Sequence, residues 1–462
     1  MRPTSSLLAC ALALGACQPD EEAGPVDTPG DPFAGVDRPN VLLVILDDAG
    51  VDKVSSYGMH PDAPPTPHID ALAAEGQRFT QAWAYPMCSP TRAALLTGQH
   101  VRRYGIGSRL LPNEEPIELK AADTASLADL VADVGYDTSF VGKWHLSAGR
   151  LGEAGYDHPT AHGFAWSEGS LANLVASMGE PESDRGYTYW EELRNGRATW
   201  RTRYATSEVV DDAIDRALTM EEPWFLWVGL HSVHTPLHVP PPELYDGPLP
   251  ATDVEYVDAM VQAMDAEIGR LLAGLPRELL DRTNVVLVGD NGTAEHGIAP
   301  PFDPAWDKGT VYEGGVRVPL VVRGPAVAQP GAVSDALVHV VDVFPTVAEW
   351  SGADPTGLDL DGTSWVPVLD APDAPGSEQL FVEHFTPIGP GPYKVERSAA
   401  RDGRFKYVLR ETGQEELRRV GPDELPDGPD LLSSGAPLTA EEEEAWARLS
   451  AFVTSERDRL RP

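Results

Sequence analysis

Beyond residue 17, Cys88 is the only cysteine in this 462-residue chain, and it stands in the run Cys88-Ser89-Pro90-Thr91-Arg92. A lone thiol makes no intrachain disulfide and no cysteine-based metal cage. It is left as a small buried hydrophobe or as a reactive group. Ser89 suits the cap of a following helix, Pro90 its first turn, and Gly98 its end after Ala93-Ala94-Leu95-Leu96. Residue 88 is then expected at a helix N-terminus, where free N–H groups and the macrodipole favour an anion, with Arg92 one turn along to help hold it.

Oxygen donors end two other segments. Asn40-Val41-Leu42-Leu43-Val44-Ile45-Leu46 and Asn284-Val285-Val286-Leu287-Val288-Gly289 are continuously apolar, as strands covered on both faces of a parallel sheet are. The first runs into Asp47-Asp48 and the second into Asp290-Asn291-Gly292. Either pair alone could cap the next helix. Because open α/β sheets place ligands beyond the carboxyl ends of their strands, adjacent strands would converge all four side chains on one point. Four oxygen donors suit a hard cation, Ca²⁺ or Mg²⁺, rather than zinc.

Further candidates follow strands. Tyr136 to Val141 reads as extended and leads into Gly142-Lys143-Trp144-His145, where continued extension would turn Lys143 and His145 to one side. Trp224 to Leu230 delivers His231-Ser232-Val233-His234-Thr235-Pro236, with His231 and His238 open to structural roles. In the Gly-rich block Asp307 to Pro319, Lys308 is the more exposed candidate, and Arg317 is placed to pair with Glu313. Thr66 to Gly76 reads as a helix and Phe79 to Ala84 as a short strand.

The chain is long enough for one large core and a smaller appendage. With 72 acidic against 35 basic residues its net charge is -37. That surface repels nucleic acid, so none is expected as a partner, and an anionic substrate needs a local positive pocket. Residues 1–16 read as a leader: Arg2, then an apolar stretch from Leu7 to Gly15 too short to span a bilayer. Its end, Leu14-Gly15-Ala16-Cys17, resembles a bacterial lipobox. That resemblance implies an exported lipoprotein, anchored in a membrane by lipid on Cys17. Gln18, in place of the Asp of inner-membrane retention, directs it to the outer membrane and periplasm. Residues 17–38, acidic and rich in Pro and Gly, read as a tether.

From Asn40 to about Leu369 these motifs, in this order, resemble the type I sulfatases of the alkaline phosphatase superfamily. The resemblance implies an α/β fold, a large mixed, mostly parallel sheet sandwiched by helices over residues 39–375, with a smaller α+β domain containing an antiparallel sheet at 376–462. It implies that a formylglycine-generating enzyme oxidises Cys88 to an aldehyde whose hydrate is the nucleophile. It implies Asp47, Asp48, Asp290, Asn291 and residue 88 as ligands of Ca²⁺, with Mg²⁺ possible. Arg92 and Lys143 would stabilise the formylglycine, His145 would bond its hydrate, and His234 with Lys308 would meet the sulfate and leaving-group oxygens. His68, Ser147 and Val233 depart from the usual Asn, Gly and Pro, and none of the three removes an assigned side chain. Residues 401–408 resemble a strand of the family's small sheet, and residues 416–420 match its next turn only loosely.

The expected activity is hydrolysis of small-molecule or carbohydrate sulfate monoesters. The alternatives are a phosphonate monoester or phosphodiester hydrolase of the same superfamily, and a non-catalytic binding lipoprotein. Aromatic residues between Trp166 and Trp200 are candidates for a rim that stacks on a sugar or aryl ring, or for simple packing of a surface excursion.

Overall fold

The computed structural model describes residues 38–110, 118–122, 124–147, 155–174, 186–421 and 426–460. The expected leader, Cys17 and the tether up to residue 37 lie outside them. Ten strands form one mixed sheet: β1 (Asn40–Leu46), β2 (Gln77–Trp83), β3 (Asp137–Lys143), β4 (Trp166–Ser170), β5 (Trp190–Arg194), β6 (Arg197–Arg201), β7 (Trp224–Gly229), β8 (Thr283–Gly289), β9 (Leu320–Arg323) and β10 (Ala332–His339). Their order is β10-β2-β9-β8-β1-β7-β3-β4-β5-β6. The centre, β8-β1-β7-β3-β4, is parallel, as is the β10-β2 pair; β9, β5 and β6 run against their neighbours.

The continuous apolar run of β1 follows from burial on both faces. Val41, Leu43 and Ile45 join one core, and Leu42, Val44 and Leu46 join the other. Because strand side chains alternate, neither set can be polar. β1 has parallel neighbours on both sides, β7 and β8, so the segments that follow all three strands meet beyond their carboxyl ends, where such sheets place ligands. β2 runs in the same direction three places from β1, beyond β8 and β9, and the chain leaves it toward Cys88 at that same edge.

Residues 380–419 form an antiparallel sheet: β11 (Leu380–Thr386), β12 (Val395–Arg401), β13 (Phe405–Leu409) and β14 (Glu415–Arg419). Residues 401–408 thus hold the end of β12 and most of β13, and the loosely matching segment after them is strand β14. One face packs on the helix Ala440–Arg459 through Phe405, Tyr407, Leu449 and Val453. The other packs Val382, Ala399 and Val408 against Trp83, Val311 and Val316 beside the large sheet. The expected boundary near 375 falls between the helix Val366–Asp370 and β11, and both sheets lie in one compact unit beginning at Arg38.

One support of the site should give the fold an acid-sensitive element. Trp144, the residue before His145, is buried, and its Nε1–H donates to His158 Nδ1 at 2.9 Å. Burial, with His162 stacked at 4.4 Å, pulls His158 down to about 3. An unfolded histidine binds a proton near pH ~6.5, so stability is fully present above that value and falls as pH drops toward 3. Unfolding in urea from pH 7 to 4.5 should show that His158→Asn flattens the pH dependence by up to ~1.4 kcal/mol per pH unit. Parallel curves for variant and wild type would contradict a neutral His158.

Candidate active site

Three strands deliver the acidic centre. Beyond β1 the backbone of Asp47 is pinned to the loop after β7: its N–H donates to Ser232 O at 3.1 Å, and Val233 N–H donates to its carbonyl at 2.6 Å. On the other side Asp290 N–H donates to Leu46 O at 2.9 Å. Asp48 then takes a left-handed backbone, φ 61°, which costs a non-glycine residue ~1 kcal/mol or more. Its contacts offset that strain. The Asp48 N–H points at Asp290 Oδ1 (3.3 Å), and its carboxylate accepts from Asn291 Nδ2 (2.9 Å) and from the Lys308 ammonium.

Cys88 is the first residue of the helix Cys88–Thr97, capped by Met87 rather than by Ser89. The Ser89 hydroxyl is drawn away to accept from Leu110 N–H at 3.1 Å. Pro90 lies in the first turn, and Gly98 ends the helix at φ 64°, both as expected from sequence. Arg92 is fully buried. Its Nε and Nη2 hold Asp290 Oδ2 at 3.0 and 2.8 Å, and its Nη1 donates to Lys143 O at 2.7 Å. Lys143, the last residue of β3, pairs with Asp47.

His145 reaches the site by a different route from the one its spacing suggested. The strand stops at Lys143, and His145 has φ 62°, so the chain turns instead of alternating. The turn brings His145 Nδ1 to 3.2 Å from Cys88 Sγ and its Nε2 to 3.1 Å from Leu110 O. A carbonyl only accepts, so Nε2 carries the proton and Nδ1 presents a lone pair to residue 88. Burial, reinforced by Lys143 and Arg92, pulls the imidazole well below its ordinary value and keeps it neutral. Burial also pushes the Cys88 thiol up, so the unmodified side chain is a poor nucleophile.

Ligand atoms of Asp47, Cys88 and Asp290 lie within 4.8 Å of one another. Asp47 Oδ1 and Asn291 Oδ1 are buried without a hydrogen-bond partner. Each such orphan costs ~1–3 kcal/mol, a cost that a bound hard cation would remove. Burial and neighbouring carboxylates push Asp290 up to about 6, whereas at Asp48 burial is outweighed by the Lys308 ammonium, which holds its carboxyl well below the usual range. The donor set therefore fits an oxygen-seeking divalent ion.

Above this floor opens a cavity of about 1180 Å³, lined at its base by Asp48, Met87, His234 and Lys308. His234 Nδ1–H donates to Thr235 O at 2.8 Å, leaving Nε2 for the cavity, and burial pulls this imidazole down to about 3. Tyr187 Oη clamps the loop, its one proton shared between His231 O (2.6 Å) and His234 O (2.8 Å). The structure thus gathers Asp47, Asp48, Cys88, Arg92, Lys143, His145, His234, Asp290, Asn291 and Lys308 in one place. Sequence reasoning missed Tyr187, Leu110 and Arg109, which follow no period or motif. It also paired Arg317 with Glu313; instead Arg317 Nε donates to Thr80 O, and the Glu313 carboxylate binds Trp83, Arg401 and Lys406. None of the described aromatics between 166 and 200 lines the cavity.

The sheet and the site at its crevice define a hydrolase with the alkaline phosphatase-like fold. The same fold is found in Ps i-CgsB in complex with k-i-k-neocarrahexaose (TM-score 0.75, 24% identity, 90% of this chain and 93% of that one). It is also found in the phosphonate monoester hydrolase SpPMH from Silicibacter pomeroyi (TM-score 0.65, 20% identity, 91% and 95%). The family model Sulfatase matches residues 39–353, and that of the N-sulphoglucosamine sulphohydrolase C-terminal region matches 303–415. Arylsulfatase A of Bos taurus is 32% identical over 365 residues, 73% of this chain and 69% of the relative. N-acetylgalactosamine-6-sulfatase of Canis lupus familiaris is 29% identical over 368 residues, 72% and 66%. This chain belongs to the sulfatase family, and it is an enzyme that hydrolyses sulfate esters.

Proposed function

We propose that the enzyme cleaves sulfate monoesters of small molecules or sugars using residue 88 as formylglycine, beside a divalent cation held by Asp47, Asp48, Asp290, Asn291 and residue 88. The observation that carries this reading is the neutral His145 Nδ1 at 3.2 Å from Cys88 Sγ, the atom that stands where an oxygen of the modified side chain would be. When present, the hydrated aldehyde supplies a nucleophilic hydroxyl and a second hydroxyl for releasing sulfate, and the cation neutralises sulfate oxygens. His145 accepts the proton of a hydroxyl at position 88, with its ring held by Leu110 O. Arg92 and Lys143 surround that position with positive charge, each already oriented by a carboxylate. His234 and Lys308 face the cavity, where the ester oxygen leaves; the Lys308 ammonium, kept charged by Asp48, is the group with a proton to donate to it, because the neutral His234 spends its own on Thr235 O.

Ca²⁺ is the proposed ion because a set of carboxylates and an amide oxygen, with residue 88 as a further ligand, is the all-protein oxygen cage that Ca²⁺ takes more readily than Mg²⁺, which tends to keep its waters. Exhaustive chelation should lower hydrolysis of an aryl sulfate at least ~10-fold, as loss of a Lewis acid requires, with recovery on adding Ca²⁺. Full activity after chelation would sink the cation, and faster turnover of a phosphonate monoester than of any sulfate would sink the substrate class. Maturation by a formylglycine-generating enzyme, export, and outer-membrane anchoring through lipid on Cys17 are part of the same proposal. They are supported by the Cys88 and Cys17 motifs. Among the described residues no helix is long and apolar enough to cross a membrane. A catalytic domain at 39–375 and a smaller one at 376–462 complete it.

A further inference from the structure

The cavity is far larger than a sulfate group, and large enough for a sugar-sized leaving group. Its cations differ in how they are engaged. Lys308 is taken by Asp48, and beneath it Lys143 and Arg92 are taken by Asp47 and Asp290. Arg109 is exposed, lines the cavity, and makes no ion pair or hydrogen bond with the described residues. In a chain of net charge -37, an exposed guanidinium in the wall of the substrate cavity with no partner among the described residues needs an explanation.

Its backbone is fixed from both sides. Leu110, the next residue, donates its N–H to Ser89 Oγ at 3.1 Å and receives His145 Nε2–H on its carbonyl at 3.1 Å. Ser108, the residue before, meets His384 Nε2 of β11 at 3.2 Å. Arg109 is therefore held one residue from the partner of the proposed base, at the junction with the small sheet. Burial and the positive charges of Arg397 and Arg109 pull His384 down to about 4, so it adds a neutral polar group rather than a second charge. The carboxylates of Glu295 and Asp307 line the same cavity on the loops after β8 and repel an anion there. Among the described lining residues, Arg109 is the guanidinium that can meet one.

We propose that Arg109 is a specificity residue that binds a second anionic group, a carboxylate or a further sulfate, on the substrate whose ester is cleaved. A planar guanidinium offers either anion two parallel N–H donors. This rests on the cavity being the sulfate-ester site, and hydrolysis of 4-nitrophenyl sulfate, which carries no anion besides its ester, reports that reading separately.

The test compares kcat/KM for a monosulfated hexosamine with no other anion, a disulfated hexosamine, and a monosulfated disaccharide containing a uronate. Wild type is expected to favour at least one two-anion substrate over the monosulfated sugar tenfold or more, and which one identifies the anion. Arg109→Gln should abolish that ratio through KM, Arg109→Lys should keep part of it, and raising the salt concentration should shrink it in wild type. Absence of any preference in wild type, or an equal fall for all three sugars in Arg109→Gln, would overturn the assignment.

Discussion

Cys88→Ser should lower steady-state hydrolysis of an aryl sulfate by ~10³-fold or more, a loss of the size seen when a nucleophile is removed. Serine is nearly the same shape as cysteine, and position 88 is buried at a helix start whose backbone does not depend on the sulfur, so the fold should survive. Its hydroxyl would lie near His145 Nδ1 and among the same cations, so a first attack on sulfur remains possible. With a single hydroxyl and no neighbour to expel the sulfate, the resulting ester would persist. The expected record is a burst of at most one equivalent of leaving group per enzyme, followed by near silence. Multiple turnovers at the wild-type rate would show that residue 88 works without the aldehyde.

The largest expected effect on stability lies in the buried charges between the sheets. Lys406 Nζ, on β13, is fully buried between Glu313 Oε1 at 3.1 Å and Asp427 Oδ1 at 3.0 Å, and lies 4.8 Å from the centre of the Trp83 ring. Burial opposes the charge of Glu313, but Lys406 and Arg401 outweigh it and hold that carboxyl down to about 2. Glu313 opens a short helix five residues after Lys308, so the cluster also anchors the loop that carries a site lysine. Lys406→Met removes one partner and strands the others, and it should destabilise the fold by ~3–5 kcal/mol in denaturant unfolding at pH 7. Burial pushes Asp427 up, so it can take a proton, and the cost should shrink as acid protonates both carboxyls. A change below ~1 kcal/mol would mean that Arg401 alone satisfies Glu313.

Parts of this molecule were legible in sequence for identifiable reasons. β1 and β8 are apolar throughout because they are covered on both faces, and the oxygen donors follow at the edge where parallel strands place ligands. Gly98 marked the end of its helix because its backbone is left-handed. Other features depend on distant partners. Ser89 has the composition of a cap but is claimed by Leu110, and the turn at His145 has no glycine or proline to announce it. Glu313 has an arginine four residues away and still prefers Lys406 and Arg401, brought from the other sheet. The placement of β9 between β8 and β2 leaves no local trace, because antiparallel and parallel partners of so short a buried strand share one composition. Arg109 and Tyr187 are loop residues whose importance lies in what surrounds them.

The proposed chemistry is most directly tested by the mass of the proteolytic peptide containing residue 88, taken from preparations whose activity on an aryl sulfate has been measured. Sulfur lost and oxygen gained at that residue, in a fraction that rises in step with specific activity, is the expected result. A fully active preparation in which the peptide carries only unmodified cysteine would contradict it.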